Sequence, residues 1–271
     1  MENNLDLFGT SSPVALVTGS GAPRLGQNVA LWLAKSGFRV VVHAHRSIKS
    51  MNDFVRDCEQ QGFHVHTVQG EIDDEKNACR WRDEVLDCFG RLDVLINSAA
   101  IWQPTPIDQA EPRDYWRHLS VNSFATAWLC QTMGLAMCEQ ATGGAIVNIG
   151  DWSTLRPYVG FTPYLISKCN IPGITSTMAI ELANRNPRVR VNAILPGPVL
   201  LDHQINDAKR LQIVEHSLLK REGRPEDISR GVLFLVYSPF ITGICLPIDG
   251  GRSIYAGPSS EPIAHPSCSS S

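Results

Sequence analysis

The sequence predicts an α/β fold, a single domain in which helices cover both faces of a doubly wound parallel sheet, and three observations support this prediction. Short β-branched runs alternate along the chain with longer segments of helical period, which is typical of β–α–β units. Each connection between consecutive strands is too long for a hairpin, as parallel strands require. The chain has 271 residues, of which 43% are hydrophobic and 19% charged, enough to bury one large core.

Seven strands are predicted from runs of aliphatic and β-branched residues that end at Gly, Asn or another turn-forming residue. The first run, Val14–Val17, leads directly into glycines, and the fourth run ends at Asn97. The predicted strands span residues 13–18, 39–43, 64–69, 94–97, 145–149, 190–194 and 245–248.

Six helices are predicted between these strands because apolar residues recur at three- to four-residue spacing. The last begins at Pro225, and the acidic Glu226 and Asp227 in its first turn match the helix dipole. The predicted helices span residues 25–36, 48–61, 75–89, 115–139, 164–184 and 225–236. This order predicts a Rossmann fold over residues 13–256, with a flexible arm at 1–12 and a flexible Ser- and Pro-rich tail at 257–271.

The composition argues against nucleic acid and membrane partners. Lys and Arg number 24 against 27 Asp and Glu, a formal charge of −3, so no cationic field is available to bind phosphate backbones or anionic lipid. The longest uncharged apolar stretch, residues 119–137, is interrupted by Asn122 and Gln131, which argues against a membrane span. The eight cysteines include no CxxC pair and no His/Cys cluster at metal-ligand spacing, which predicts reduced thiols, no metal site and a cytoplasmic location.

The turn after the first predicted strand is rich in glycine. It contains Gly19, Gly21 and Gly26 and carries Arg24 and Leu25 at the start of the following helix. Such a turn directs backbone N–H groups and the positive end of the helix dipole at a pyrophosphate, which predicts a nucleotide site. A purely structural glycine-rich turn would have a similar composition.

The second predicted strand is followed by His45, Arg46 and Ser47, where an NAD-preferring site would have an acidic residue to bind the ribose 2′-hydroxyl. Arg46 together with Arg24 could instead hold a 2′-phosphate through guanidinium hydrogen bonds. The residues therefore predict NADPH as the cofactor, and a solvated basic surface is the other interpretation.

Tyr164 and Lys168 lie four residues apart, which places them one turn apart on one face of a predicted helix. A nearby cation stabilises a phenolate, so the pair predicts a lowered pKa for Tyr164 and a role in proton donation. The spacing is common by chance. It becomes more specific here because Asn97 ends the fourth strand and Asn122 lies in the next helix.

Taken in order, these motifs resemble the short-chain dehydrogenase/reductase family. The resemblance implies a nicotinamide cofactor, a homotetramer and defined catalytic roles: Asn122 would organise a proton-relay water, Tyr164 would be the acid/base, and Lys168 would bind the nicotinamide ribose. The residues that carry the resemblance or align with the family's cofactor contacts are Thr18, Gly19, Gly26, Glu71, Ile72, Asn97, Ser98, Ala99, Pro196, Gly197 and Val199.

One position departs from the family pattern, because Asp151 stands thirteen residues before Tyr164, where the family commonly has a serine. This aspartate, with the Arg24-Leu25-Gly26 and His45-Arg46-Ser47 segments, resembles the pteridine reductases and the dihydromonapterin reductases. That resemblance implies a pterin substrate stacked on Trp102, with Asp151 and Tyr164 binding the substrate and delivering a proton. An extra residue in the phosphate turn and Ala100 in place of a serine depart from the subgroup.

Two further hypotheses stay open. One is a general carbonyl reductase of the same family that acts on a ketone or a 3-ketoacyl group, and the other is a noncatalytic NADP-binding sensor. Trp102 could also be an ordinary packed aromatic residue, and Asp151 could simply cap a loop. Residues 198–222, which follow Pro196 and Gly197, are predicted to form a mobile loop over the substrate.

Overall fold

A computed structural model describes residues 3–201 and 205–255 and contains the predicted seven-stranded parallel sheet. The order is β3-β2-β1-β4-β5-β6-β7, and each neighbouring pair of strands is parallel. The strands are β1 Val14–Val17, β2 Arg39–Ala44, β3 Val65–Gln69, β4 Val94–Asn97, β5 Gly144–Ile149, β6 Val189–Pro196 and β7 Cys245–Ile248. The prediction of a single-domain Rossmann fold is confirmed.

The strand order reverses between β1 and β4, and in sheets of this kind ligands bind in the crevice outside the carboxyl ends of the strands at that point. Two apolar cores, one on each face, hold the sheet between its helices. The first includes Val29, Leu33 and Val232, and the second includes Trp81 and Met133. The central strands that carry the carboxyl edge are therefore buried between the two cores.

The helices follow the predicted crossovers closely. They are α1 Asn4–Phe8, α2 Leu25–Lys35, α3 Ile48–Gln60, α4 Glu75–Phe89, α5 Pro112–His118, α6 Ala125–Cys138, α7 Thr162–Arg185, α8 Asp207–Glu215 and α9 Pro225–Val236. The helix predicted at 115–139 begins earlier, at Pro112, and a π-helical segment, Leu119–Phe124, joins α5 to α6. A short 3₁₀ turn, Trp152–Thr154, follows β5. None of the helices in the described ranges is long and apolar enough to cross a membrane.

The described part of the arm predicted at residues 1–12 contains the short helix α1, which the sequence analysis did not predict. Asn3 and Asp6 form a reciprocal capping box at the start of α1, and Phe8 is buried. The Nδ2 group of Asn4 donates to Ser36 O (2.8 Å), and its Oδ1 accepts from the Tyr237 hydroxyl (2.7 Å). The Phe8 ring and these long-range hydrogen bonds connect α1 to the end of α2 and to the residue after α9.

Two other predictions concern segments that are only partly described. The substrate loop predicted at 198–222 contains α8, which the sequence analysis did not foresee, and its residues 202–204 lie outside the described ranges. The predicted flexible tail at 257–271 also lies outside them.

Candidate active site

Tyr164 and Asp151 meet at the carboxyl edge of the sheet. The Tyr164 hydroxyl, in the first turn of α7, donates to Asp151 Oδ2 at 2.5 Å. Asp151 follows β5, and its other oxygen, Oδ1, accepts from the backbone N–H of Ser153 at 2.8 Å. Asp151 thus caps the 3₁₀ turn with one oxygen and binds the Tyr164 hydroxyl with the other.

The expectation that Lys168 would lower the pKa of Tyr164 is wrong. Burial of the phenol raises the pKa of Tyr164 well above 10, and the negative charge and hydrogen bond of Asp151 raise it further. A phenolate beside a carboxylate would place two like charges in a desolvated site. The proton therefore stays on Tyr164 at neutral pH.

Lys168 is buried one helical turn after Tyr164, and its Nζ donates to Ile149 O at 2.8 Å. Burial lowers the pKa of Lys168 to about 8, and the charge of Asp151 acts in the opposite direction. Since the ammonium bonds to the last residue of β5, it joins α7 to the strand that leads into Asp151.

Asn122 lies in the π-helical segment, a deviation from α-helical geometry that is frequent at functional sites. Its side chain accepts from Ile101 N (2.9 Å) and donates to Ile101 O (3.0 Å) and Ser167 Oγ (2.9 Å). These bonds use the Asn122 amide to hold the loop after β4 against α7. Ser167 was not predicted, and its three-residue spacing from Tyr164 was the only available signal.

Trp102 is 48% exposed, so it is not an ordinary core residue. Its indole stacks on Phe161 with ring centroids 4.7 Å apart, and its Nε1 donates to the Tyr158 hydroxyl at 3.4 Å. Tyr158 in turn stacks on Trp152 with centroids 5.6 Å apart. We call these four residues the aromatic wall; only Trp102 was predicted, because Trp152, Tyr158 and Phe161 follow no motif.

The glycine-rich turn after β1 is tightly packed. Gly19 has a φ of +67°, which favours glycine, and a Cβ on Gly21 would lie 2.4 Å from the Cβ of Ala44. Thr18 Oγ1 accepts from the backbone N–H groups of Ser98 (3.0 Å) and Ala99 (3.1 Å). These contacts bring the turn and the loop after β4 together across the point where the strand order reverses.

The start of α2 fits a pyrophosphate. Its N-cap residue is Arg24, no side chain caps its first N–H groups, and its first turn holds no acidic residue. Uncapped N–H groups and the helix dipole favour an anion at this position. A Cβ on Gly26 would lie 2.8 Å from Gly19 O, so glycine allows the turn to fold onto the helix.

The other predicted cofactor residues lie at the same edge of the sheet. Arg46 and Ser47 are exposed after β2, and His45 Nε2 lies 3.5 Å from Glu71 Oε1, which follows β3. Neither Arg24 nor Arg46 belongs to any ion pair found within residues 3–201 and 205–255.

Two predicted cofactor residues prove to be structural in their contacts. Asn97 is buried, and its amide donates to Asn148 Oδ1 at 2.9 Å, which connects β4 to β5 inside the sheet. Ile72 is buried and belongs to the apolar core that contains Trp81.

His43, at the end of β2, contacts the phosphate turn. Its Nδ1 accepts from Gly19 N (3.1 Å), and its Nε2 lies 3.0 Å from Gly70 O. Burial lowers the pKa of His43 to about 4, so the ring is neutral and donates to Gly70 O.

A cavity of about 450 Å³ opens at the ends of β6 and β7. Its lining includes the predicted cofactor residues Gly197 and Val199, together with Leu218 and Asp249, but neither Tyr164 nor Asp151. A Cβ on Gly197 would lie 2.5 Å from Asp249 Cα, so glycine is needed for the close approach of the two strand ends. Over the described ranges, no group of three or more His, Cys, Asp or Glu residues is arranged to hold a metal ion.

The model of the short chain dehydrogenase family matches residues 13–211, the span that carries both the phosphate turn and the Tyr164 site. The chain belongs to this family. It is therefore an oxidoreductase that uses a nicotinamide cofactor on a small-molecule substrate.

Known members resemble the chain over nearly its whole length. Carbonyl reductase family member 4 of Xenopus laevis is 31% identical over 244 residues, which is 90% of this chain and 99% of the relative. The 3-oxoacyl-acyl-carrier-protein reductase of Synechocystis is 30% identical over 250 residues, which is 90% of this chain and 98% of the relative. A solved chain described as a short-chain alcohol dehydrogenase from Sinorhizobium meliloti superposes with a TM-score of 0.84 at 28% identity, covering 92% of this chain and 99% of that chain.

Proposed function

We propose that this short-chain dehydrogenase is an NADP(H)-dependent carbonyl reductase that acts on a ketone or a 3-ketoacyl group. The observation that carries the proposal is the buried Tyr164 hydroxyl, paired with Asp151 one helical turn from Lys168 at the carboxyl edge of the sheet. The names of the two relatives above, a carbonyl reductase and a 3-oxoacyl reductase, support the same substrate class.

The side chains suit proton delivery to a carbonyl oxygen. When bound, the cofactor would supply a hydride. Tyr164 would donate its proton to the oxygen, since its raised pKa keeps the hydroxyl protonated at neutral pH. Asp151 accepts a hydrogen bond from the Tyr164 hydroxyl and would hold this proton donor in place beside the substrate.

The preference for NADPH is part of the proposal. Arg24, His45, Arg46 and Ser47 offer cationic and hydroxyl donors at the end of β2 and the start of α2, where a 2′-phosphate would accept them. Further cofactor contacts are proposed for Gly19, Gly21, Leu25, Glu71, Ile72, Asn97, Ser98, Ala99, Tyr164, Lys168, Pro196, Gly197 and Val199.

The test is NADPH oxidation with acetoacetyl-CoA, ethyl acetoacetate and a dihydropterin. We expect turnover of at least one carbonyl compound, and we expect Tyr164→Phe to lower kcat by about 10² to 10⁴ because it removes the proton donor. Tyr237→Phe is the matched control, since that hydroxyl bonds to Asn4 far from the site. Binding of NADPH without turnover of any carbonyl or pterin would instead favour the noncatalytic sensor.

A second candidate function, reduction of a pterin, is favoured by Asp151 and Trp102. The amino and ring N–H groups of a pterin can donate to a carboxylate, whereas an anion beside a developing alkoxide would repel it. The half-exposed Trp102 indole offers a flat surface for such a ring.

The variant Asp151→Ser separates the two functions. If the substrate is a pterin, this change abolishes dihydropterin reduction and spares NADPH binding, and Trp102→Ala raises KM more than it lowers kcat. Turnover of a ketone but of no dihydropterin by the unaltered protein would rule the pterin out.

We also propose that the protein works as a homotetramer in the cytoplasm. The seven cysteines within the described ranges are free thiols, which suits a reducing compartment. Large apolar side chains on α5 and after α9 are exposed, which supports assembly.

A further inference from the structure

Two arginines from distant parts of the chain meet beside the aromatic wall. Arg156 follows the 3₁₀ turn, and Arg252 follows β7. Arg156 Nη1 donates to the backbone oxygens of Arg252 (3.3 Å) and Tyr255. The Arg252 guanidinium lies 4.8 Å from the centre of the Trp152 ring, and its Nη1 donates to Ile213 O, in α8, at 2.5 Å.

This pair of cations lacks a carboxylate partner. Neither arginine belongs to an ion pair within residues 3–201 and 205–255, and Arg252 Nε is buried without a hydrogen-bond partner. The nearby Asp249 carboxylate instead accepts from the backbone N–H groups of Gly251 (2.8 Å) and Ser253 (2.7 Å). An unpaired guanidinium donor at a partly buried position is costly unless an anion accepts from it.

The surroundings of Arg252 disfavour its positive charge. Burial lowers the pKa of Arg252, and the charge of Arg156 lowers it further, while Tyr158 and Asp249 oppose the change. A third cation, Lys220, lies with its Nζ 4.7 Å from the centre of the Tyr255 ring, but it is paired with Glu215 at 3.3 Å. Arg156 and Arg252 thus differ from Lys220 in having no carboxylate partner within the described ranges.

A continuous run of ring contacts connects the arginines to the proton donor. Tyr164 packs against Phe161 (centroids 6.5 Å apart), Phe161 against Tyr158 (5.4 Å), and Tyr158 against Trp152 (5.6 Å), which carries the Arg252 guanidinium. A substrate that lies along this wall with its carbonyl at Tyr164 would direct its other end toward the arginines.

We infer that Arg156 and Arg252 form a subsite for an anionic group of the substrate, a carboxylate or a phosphate, beside Trp152 of the aromatic wall. This inference rests on the proposed function, because it names a property of the substrate of that same site. Guanidinium groups suit both anions, since their planar fork matches carboxylate and phosphate oxygens.

The probes are a charged and a neutral compound for each anion, and the carboxylate pair is matched in shape as well. For the carboxylate they are 4-acetylbenzoate and its methyl ester, flat aryl ketones with the charge across the ring from the carbonyl. For the phosphate they are acetoacetyl-CoA and ethyl acetoacetate. Binding to the NADP⁺-saturated protein is measured by calorimetry, and kcat/KM is measured with NADPH.

We expect the protein to bind at least one charged probe about tenfold or more tightly than its neutral partner, as a hydrogen-bonded charge pair provides. Arg156→Gln and Arg252→Gln should remove this preference and leave the neutral probe nearly unchanged. Arg252→Lys keeps the positive charge but not the planar guanidinium, so it should retain part of the preference for the charged probe. Arg56→Gln, on the outer face of α3, is the control. Added salt should also reduce the preference in the unaltered protein, a result that requires no variant to fold.

The calorimetric binding measurement tests this inference separately from the proposed function. Loss of all turnover with a retained binding preference would overturn the carbonyl reductase and leave the anion subsite standing. Equal binding of charged and neutral probes in both pairs, or an undiminished preference in both glutamine variants, would overturn the subsite.

Discussion

Arg46 follows β2 without a carboxylate partner in the part of the chain that the structure describes, so its charge is available to a ligand. If it binds the 2′-phosphate of the cofactor, Arg46→Asp places a like charge beside that phosphate. We expect the ratio of kcat/KM for NADPH to that for NADH to fall below one. Arg46→Lys, which keeps the charge, should preserve the preference, and an unchanged ratio in Arg46→Asp would contradict the assignment.

His43 connects the phosphate turn to Gly70, the residue after β3. Its titration should make the stability of the protein depend on pH. Burial lowers its pKa from 6.5 to about 4, so the unfolded chain binds the proton more tightly between these values. Stability therefore falls as the pH drops from 6.5 toward 4, by up to about 3 kcal/mol for this one group.

Urea unfolding at a series of pH values measures this effect. The variant His43→Asn should flatten the dependence in that window, because no titrating ring remains between Gly19 N and Gly70 O. The exposed His64 gives the control, since His64→Asn should keep the slope. A slope that survives in His43→Asn would show that other groups cause it.

At the scale of elements, the predicted substrate loop contains α8, which lies on the surface. None of its residues is buried, and Glu222 ties the segment by accepting from Leu201 N (2.8 Å) and from Arg210. Leu200 and Lys220, at the two ends of the segment, have φ values of +56° and +49°. Such left-handed conformations cost backbone energy in residues other than glycine.

Glu222→Gln should loosen this loop without unfolding the protein. Glutamine keeps an acceptor for Leu201 N but loses the ion pair with Arg210, so we expect KM to rise severalfold while the free energy of unfolding changes by less than about 1 kcal/mol. Glu111→Gln, which breaks an exposed ion pair with Arg113 outside the loop, is the control. A large loss of stability with unchanged KM would mean that Glu222 supports the fold rather than the loop.

The periodic elements were predictable because their signals are local. β4, β7, α4 and α9 have the predicted bounds, since each apolar run ends at a turn or capping residue. The π-helical segment around Asn122 was not predictable, because it depends on hydrogen bonds from Asn122 to Ile101 and Ser167, in other parts of the chain.

The site, too, was predictable from the sequence only in part. Tyr164, Lys168 and Asp151 were found by spacing and family resemblance, but spacing alone suggested a lowered pKa for Tyr164. The opposite shift follows from burial and from the 2.5 Å contact with Asp151. Burial and contact of this kind depend on tertiary packing, which also explains why the Arg156–Arg252 pair left no pattern in the sequence.

At the scale of the whole molecule, two separate groups of exposed apolar side chains bear on assembly. Trp116 on α5 is 72% exposed, and Phe124 on the π-helical segment is 47% exposed. Phe234 in α9 is 52% exposed, and Phe240 after α9 is fully exposed. A closed tetramer of identical chains with dihedral symmetry needs at least two different interfaces, and these two groups would supply them.

We therefore expect a solution mass four times 29.8 kDa, measured by light scattering or sedimentation. Trp116→Glu and Phe240→Glu should each reduce the tetramer to a dimer, because each removes one kind of interface, and the double variant should be monomeric. Leu5→Glu, on the exposed side of α1, is the control and should leave the mass unchanged. A monomeric unaltered protein, or a tetramer that survives both changes, would contradict this assembly and leave the two apolar groups without a role in it.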